Sequence, residues 1–270
     1  MDLAIVKISM SFCETSYNFL NNLSEQKGIE VKYLCHGTIP DDYHNNFVFK
    51  PQIRMSAARS RNLLLKKVIS SRVLFLDEDS ELSEEALDFL INFVKNKIRG
   101  HVIFSGKLFV DTPYKTLRSD QNFYLINKHY CEWNMVYDRT LLKKGRLFPG
   151  IGVGSRHEFW SGEGICSLMQ VCDQSAVYLR PEIVFHPPLR TSKNITTVRK
   201  YIKGYGFSMA YIVRFGSPIL KIHTLCRFIF SCVRDFIFPS GIQPNIKSNE
   251  KFFLLRFKIL MWKLEGFFGL

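Results

Sequence analysis

The sequence predicts an α/β fold, a mostly parallel sheet with helices on both faces, followed by a helical appendage. Three observations carry that expectation. Strand-like and helix-like segments alternate over the first 110 residues. An apolar run, Val73-Leu74-Phe75-Leu76, passes directly into three acids, Asp77-Glu78-Asp79. From Arg190 onward the chain becomes basic and helical, with 14 Lys/Arg against 3 Asp/Glu.

The alternation can be followed in order. Residues 3–8 form an apolar strand. Residues 15–26 carry Tyr17, Phe19, Leu20 and Leu23 at helical spacing, and Gly28 closes the segment. Residues 29–34 alternate as a second strand. Residues 36–46 are rich in turn formers, including Gly37, Pro40, Asp41 and Asp42. Residues 56–69 place Ala57, Leu64, Leu65 and Val68 on one stripe. The strand at 73–76 follows. Ser83 is a natural N-cap, with Glu84 and Glu85 in the first turn where the helix dipole favours them. The helix 84–97 turns Leu87, Leu90, Ile91 and Val94 to one side, and 101–109 reads as a strand. Strand-helix alternation of this kind argues for parallel pairing. Residues 111–150 show no clear period. Residues 165–172 read as a helix, and 176–179 and 182–185 as short strands. Residues 197–211 read as a helix broken at Gly204-Tyr205-Gly206. Residues 218–238 are apolar but interrupted by Lys221, Arg227 and Arg234, residues 239–249 form a linker, and 251–268 read as a basic amphipathic helix.

Composition narrows the function classes. The chain has 270 residues, is 46% hydrophobic and 14% aromatic, and carries a net charge of +13. It can bury a sizeable core. Its seven cysteines are scattered with no CxxC pair, which argues against a structural zinc site and for free thiols in a reducing cytoplasm. The N-terminus lacks the pattern of a signal peptide, and no apolar stretch reaches the roughly 18–20 residues of a membrane span. The expectation is a cytoplasmic protein, peripheral at the inner face of the plasma membrane. No nucleic-acid-binding motif stands out, so no nucleic-acid partner is expected.

The acids at 77–79 carry the chemistry. Clustered carboxylates at the end of a buried strand are costly unless a cation offsets their repulsion. Mg²⁺ and Mn²⁺ prefer oxygen ligands, and Mg²⁺ often sits between carboxylates and substrate phosphates. Open α/β sheets bind ligands beyond the carboxyl ends of their strands. These points together suggest a metal-diphosphate site.

The run Arg59-Ser60-Arg61-Asn62-Leu63, a helix, and then Val73 to Asp79 resembles the nucleotide-sugar signature of family-2 glycosyltransferases. These enzymes have the GT-A fold and commonly build bacterial surface polysaccharides. Gly152-Val153-Gly154 followed by Trp160-Ser161-Gly162-Glu163 resembles the glycine-rich stretch and acidic motif on their acceptor side. His186, after a strand and before prolines, matches a histidine that often completes metal binding. The resemblance spans residues 1–190, which would be the GT-A nucleotide-sugar-binding and catalytic domain, with 191–270 the basic, aromatic-rich helical region.

The resemblance implies roles residue by residue. Asp77 would contact the ribose or the metal, and Asp79 would be the direct metal ligand, joined by His186. The cofactor would be Mg²⁺ or Mn²⁺. Glu78 would line the nucleotide-sugar site and add negative field. Arg61 and Asn62 would contact the base or a phosphate, although local hydrogen bonds at a helix start explain them equally well. Asp41 and Asp42 sit where the family often reads the base, but a turn accounts for them better. Glu163 would be the general base that takes the acceptor hydroxyl's proton. Trp160 and Gly162 would lie on the acceptor side, where Trp160 either stacks on a sugar or simply packs. The donor would be a nucleotide diphospho-sugar, and the acceptor a lipid-linked or growing surface glycan. Transfer with inversion is expected. The basic C-terminal helices would meet an anionic membrane surface or pack on the core. Relatives usually show a second acid after the glutamate, whereas this chain has Gly164. That departure keeps a non-catalytic, nucleotide-sugar-binding scaffold open as an alternative. A nucleotidyltransferase is a weaker one, since no early glycine-rich phosphate loop with a basic residue is present.

Overall fold

The computed structural model describes residues 2–26, 28–43, 46–97, 99–104, 115–117, 134–142, 152, 159–160, 162, 164, 166–167, 169, 177–180, 184–185, 194–237 and 252–269. The chain divides into two compact units. One comprises Met1–Leu147 with Gln170–Pro187, the other Phe148–Met169 with Pro188–Leu270.

The first unit contains β1 (Leu3–Ser9), α1 (Glu14–Ser24), β2 (Ile29–Cys35), β3 (Val48–Phe49), α2 (Ala57–Lys67), β4 (Arg72–Leu76), β5 (Glu81–Leu82), α3 (Glu84–Lys95), β6 (His101–Phe104), β7 (Lys115–Leu117), β8 (Met135–Asp138), β9 (Val177–Arg180) and β10 (Val184–Phe185). Eight strands form one sheet in the order β3-β2-β1-β4-β8-β6-β9-β7. Parallel pairing joins β3, β2, β1 and β4 in series, and β6 with β9. Strand β8 runs antiparallel between β4 and β6, and β7 runs antiparallel on β9. Strands β5 and β10 form a separate antiparallel pair.

All seven residues of β1 and all five of β4 are buried, as expected for strands covered on both faces. Leu3 and Ile5 of β1, with Leu74 and Leu76 of β4, pack against Leu20 and Leu23 of α1 and Leu90, Phe93 and Val94 of α3. The alternate residues, Ala4, Val6, Val73 and Phe75, point to the other face and are also buried. Helix α2 covers that side with Ala58, Leu64 and Leu65. Each fully buried leucine or phenylalanine contributes roughly 1.5–3 kcal/mol.

The helix start at Ser83 follows the sequence signal, and Ser56 adds a second cap of the same kind. Ser56 caps α2 by accepting from the Arg59 N–H, and Ser83 caps α3 by accepting from the Ala86 N–H. At the amino end of β4 a buried polar cluster fixes the sheet. Asp138 pairs with Arg72 at 3.6 Å, and its backbone N–H donates to His101 Nδ1 at 3.0 Å. His101 therefore carries its proton on Nε2. Burial pushes its pKa down to about 3.

The second unit contains α4 (Ile195–Phe215), α5 (Pro218–Ile237) and α6 (Phe252–Phe268), which pack on one another. The break expected at Gly204-Tyr205-Gly206 is absent, and α4 is continuous through it. The glycines serve packing instead. A Cβ on Gly206 would collide with the Lys263 carbonyl of α6, and a Cβ on Gly266 would collide with the Lys203 carbonyl of α4. The two backbones cross too closely for a side chain at either position. The basic-amphipathic reading of 251–268 also needs correction. Arg256 donates to the Phe236 carbonyl and Lys263 bonds Asp235 at 2.6 Å, so these two cations face α5 and not solvent. Among the described residues no helix is long and apolar enough to cross a membrane. The linker expected at 239–249 lies outside them.

Candidate nucleotide site

Parallel strands aim their carboxyl ends at one edge of the sheet. The register sets Ser9 of β1 opposite Cys35 of β2, and Lys7 opposite Leu76 of β4. The segments that follow β1, β2 and β4 therefore meet at that edge, together with the first turns of α2.

A network of short contacts ties them. Arg61, on α2 and 4% exposed, donates from Nη2 to Asp77 Oδ1 at 2.7 Å. A buried guanidinium is always charged, so the cluster already holds one fixed positive charge. The Asp77 side chain remains 35% exposed, and Asp79 is exposed beyond the strand end. Asn62 is half-buried on the next helical position. Glu78 turns to the loop after β1. It accepts from the Met10 N–H at 3.1 Å and from the Ser11 hydroxyl at 2.8 Å. Its charge thereby fastens the β1 loop to the end of β4.

The β2 loop is held as tightly. The His36 N–H donates to the Ser9 carbonyl at 3.1 Å, and His36 Nε2 meets Ser60 Oγ at 3.1 Å. Burial, aided by the Arg54 charge, lowers the His36 pKa. A Cβ on Gly37 would lie 3.0 Å from Ser11 Cα, so this glycine lets the two loops touch. Beneath them Lys7 is 3% exposed and donates to the Ser80 carbonyl at 2.9 Å. Burial lowers its pKa, while Cys13, Glu81, Asp79 and Glu78 act in the opposite direction.

Arg61, Asn62, Asp77, Glu78 and Asp79 of the motif thus lie at one edge, but the motif gives no role to the Ser9–Ser11 loop, His36, Ser60 or Lys7. The missing signal is the rule already used for β4. The residues after β1 and β2 reach the same crevice as those after β4. Asp41 and Asp42 lie on an exposed 3₁₀ turn, Asp41–Tyr43, in keeping with the turn account.

Carboxylate oxygens at an exposed strand end suit a hard divalent cation. Among the described residues no three of His, Cys, Asp and Glu converge on one point.

Trp160 and Gly162, expected on the acceptor side, belong to the second unit. The Trp160 N–H donates to the Lys200 carbonyl at 3.2 Å. Its ring meets Tyr201 edge-on at 6.1 Å and carries Lys200 Nζ 4.7 Å above its face. Gly162 has φ +85°, and a Cβ there would lie 2.5 Å from Ser208 Cβ. Both residues thus anchor their loop to α4. Glu163, His186, Gly154, His157 and Glu158 lie outside the described residues.

Neither a protein-family model nor a curated protein sequence matches the chain. Solved structures do. S. aureus TarS 1–349 aligns with a TM-score of 0.60 at 14% identity, over 98% of this chain and 81% of that one. The same fragment in complex with UDP-GlcNAc gives 0.58 at 14% identity and equal coverage. A longer TarS structure gives 0.56 at 15% identity, over 92% of this chain and 46% of that one. The chain thus spans about half the length of that TarS. TarS is a GT-A glycosyltransferase. At these identities the likeness is one of fold, and the chain has the GT-A fold with a helical C-terminal region.

Proposed function

We propose that the protein is a glycosyltransferase that moves a sugar from a nucleotide diphospho-sugar to an acceptor hydroxyl, with inversion. The observation that carries this reading is the Arg61–Asp77 pair, with Asp79 exposed beside it, at the carboxyl edge of a GT-A sheet. TarS 1–349 has been solved with UDP-GlcNAc, which supports a nucleotide-sugar donor here. The acceptor would be a lipid-linked or growing surface glycan, reached at an anionic membrane surface.

In this reading the donor lies across the crevice. Arg61 orients a phosphate and holds Asp77 towards the ribose or metal. Asn62 contacts the nucleotide. Glu78 holds the β1 loop as a wall. Asp79, with Asp77 and His186, would hold Mg²⁺ or Mn²⁺, which offsets the charge growing on the leaving diphosphate. Glu163 takes the proton from the acceptor hydroxyl. The acceptor oxygen bonds to the anomeric carbon as the bond from that carbon to the phosphate oxygen breaks, and the nucleoside diphosphate departs. Trp160 and Gly162 shape the acceptor side.

A thermal-shift panel of nucleoside diphosphates with Mn²⁺ tests donor binding, because a ligand specific to the folded state raises its stability. Asp79→Ala should remove the Mn²⁺-dependent part of the shift and turnover with it. Full activity in that variant sinks the metal role. Glu163→Gln should keep the shift and lose turnover by roughly 10²-fold or more. Gly164, in place of the usual second acid, favours one other reading, a donor-binding scaffold. Donor binding by wild type without turnover across an acceptor panel would select it.

A further inference from the structure

Helix α5 presents an unpartnered apolar stripe. Its packed side is formed by Leu220, Thr224 and Phe228. On the opposite side Ile219, Ile222, Ile229, Phe230, Val233 and Ile237 are each at least half exposed or close to it, and Ile219 reaches 83%. At 100° per residue these six positions, with Leu225, fall within one 140° arc that holds no charged residue. The borders of the arc are basic. Arg227 and Arg234 flank it on one side, beside His223, and Lys221 flanks it on the other. The single acid of the helix, Asp235, is on the packed side, accepting from Lys263 of α6 at 2.6 Å and from Arg234 at 2.7 Å.

A cavity of about 520 Å³ opens on the arginine border, between α4, α5 and α6. Tyr201, Tyr205, Arg227, Phe230, Arg234 and Lys263 line it. Asp235 bonds both Lys263 at 2.6 Å and Arg234 at 2.7 Å, so one acid stands against three cations in the lining and the cavity is net positive.

We propose that α5 is the element by which the protein seats on an anionic phospholipid surface, with its apolar stripe in the acyl boundary and headgroup phosphates received by Arg227 and Arg234. The proposal rests on the membrane partner of the reading above and names its face. Charge decides the occupant. A second copy of the chain would bring one net-cationic border against another, since the one acid of the helix, Asp235, is already bonded to Arg234 and Lys263. A phosphate-bearing surface complements both borders at once. The helix has 20 residues, enough to span, but Lys221, Arg227, Arg234 and Asp235 keep it in the plane of the surface. Helix α6 also exposes Leu254, Phe257 and Met261, but its Arg256 and Lys263 are committed to α5. The basic amphipathic helix expected at 251–268 is therefore replaced in this role by α5.

Vesicle flotation of the full chain tests this without donor or acceptor. Wild type should float with vesicles of phosphatidylcholine plus phosphatidylglycerol, much less with phosphatidylcholine alone, and less as salt rises. Ile222→Glu with Ile229→Glu should weaken flotation by about tenfold or more. Arg227→Gln with Arg234→Gln should weaken it by about fivefold for each charge. Nucleotide binding of both variants should match wild type, and thermal melting should stay close to it because the Arg234–Asp235 pair lost in the second is half exposed to solvent, which separates lost docking from lost folding. No flotation by wild type, or flotation indifferent to both variants, overturns the proposal. So does a concentration-dependent dimer that these substitutions dissolve. Failed flotation with intact nucleotide binding leaves the donor-site reading standing, and the reverse result leaves docking standing.

Discussion

Arg61 is the residue on which the crevice turns. It reaches Asp77 from a helix on one face of the sheet, with almost no contact with solvent. A charge-assisted pair of this kind is both an orienting device and a fixed field. Arg61→Leu should reduce nucleoside diphosphate affinity by about tenfold, on the scale of one charged hydrogen bond. The thermal shift would shrink accordingly. Arg61→Lys should recover only part of it, because an ammonium lacks the planar fork of a guanidinium. An undiminished shift in both variants would refute a donor-side role. Glu78 teaches the complementary lesson. It stands in the middle of the acidic triplet, yet its oxygens serve Met10 and Ser11, so a place beside the proposed metal ligands does not give it their role.

Among the elements, α4 and α6 make the least forgiving contact. Gly206 and Gly266 each face a carbonyl of the other helix. Gly206→Ala or Gly266→Ala should lower stability by about 1–3 kcal/mol through overpacking, despite the better helix propensity of alanine. Chemical denaturation would measure it, and a rise in stability would contradict the close crossing. How much of this was legible in the sequence depended on distance along the chain. The alternation read over 1–110, followed as far as the described residue 104, the cap at Ser83 and the acids after β4 are local patterns, and each is present as expected. Strand β8 was not legible, because only its non-local partners β4 and β6 define it. Glycines in α4 read as a break because their reason lies on another helix, some 60 residues on. At the crevice, Arg61 and Asp77 stood out through a motif, whereas Lys7 and His36 resemble ordinary core and loop residues until the strands are aligned.

At the scale of the whole molecule, acid should weaken the fold at the sheet end opposite the crevice. The unfolded His101 binds a proton near its ordinary pKa of 6.5, while the folded one does so only near 3. Between those values the unfolded state holds more protons, so stability is complete above about 6.5 and declines as pH falls. The slope is roughly 1.4 kcal/mol for each pH unit. Urea melts near neutral pH and near pH 5 would record it. His101→Gln, which can still accept from the Asp138 N–H, should flatten that part of the curve. The Glu78 tether bears on the order in which the molecule assembles. Its two bonds to the β1 loop bridge 67 and 68 positions, and the Lys7–Ser80 bond bridges 73. A chain emerging from the ribosome has no crevice until residue 80 is free to dock. From then on, closing that long loop and forming the binding edge are the same event. A nascent-chain series halted on either side of that length should gain nucleotide binding no earlier than that point.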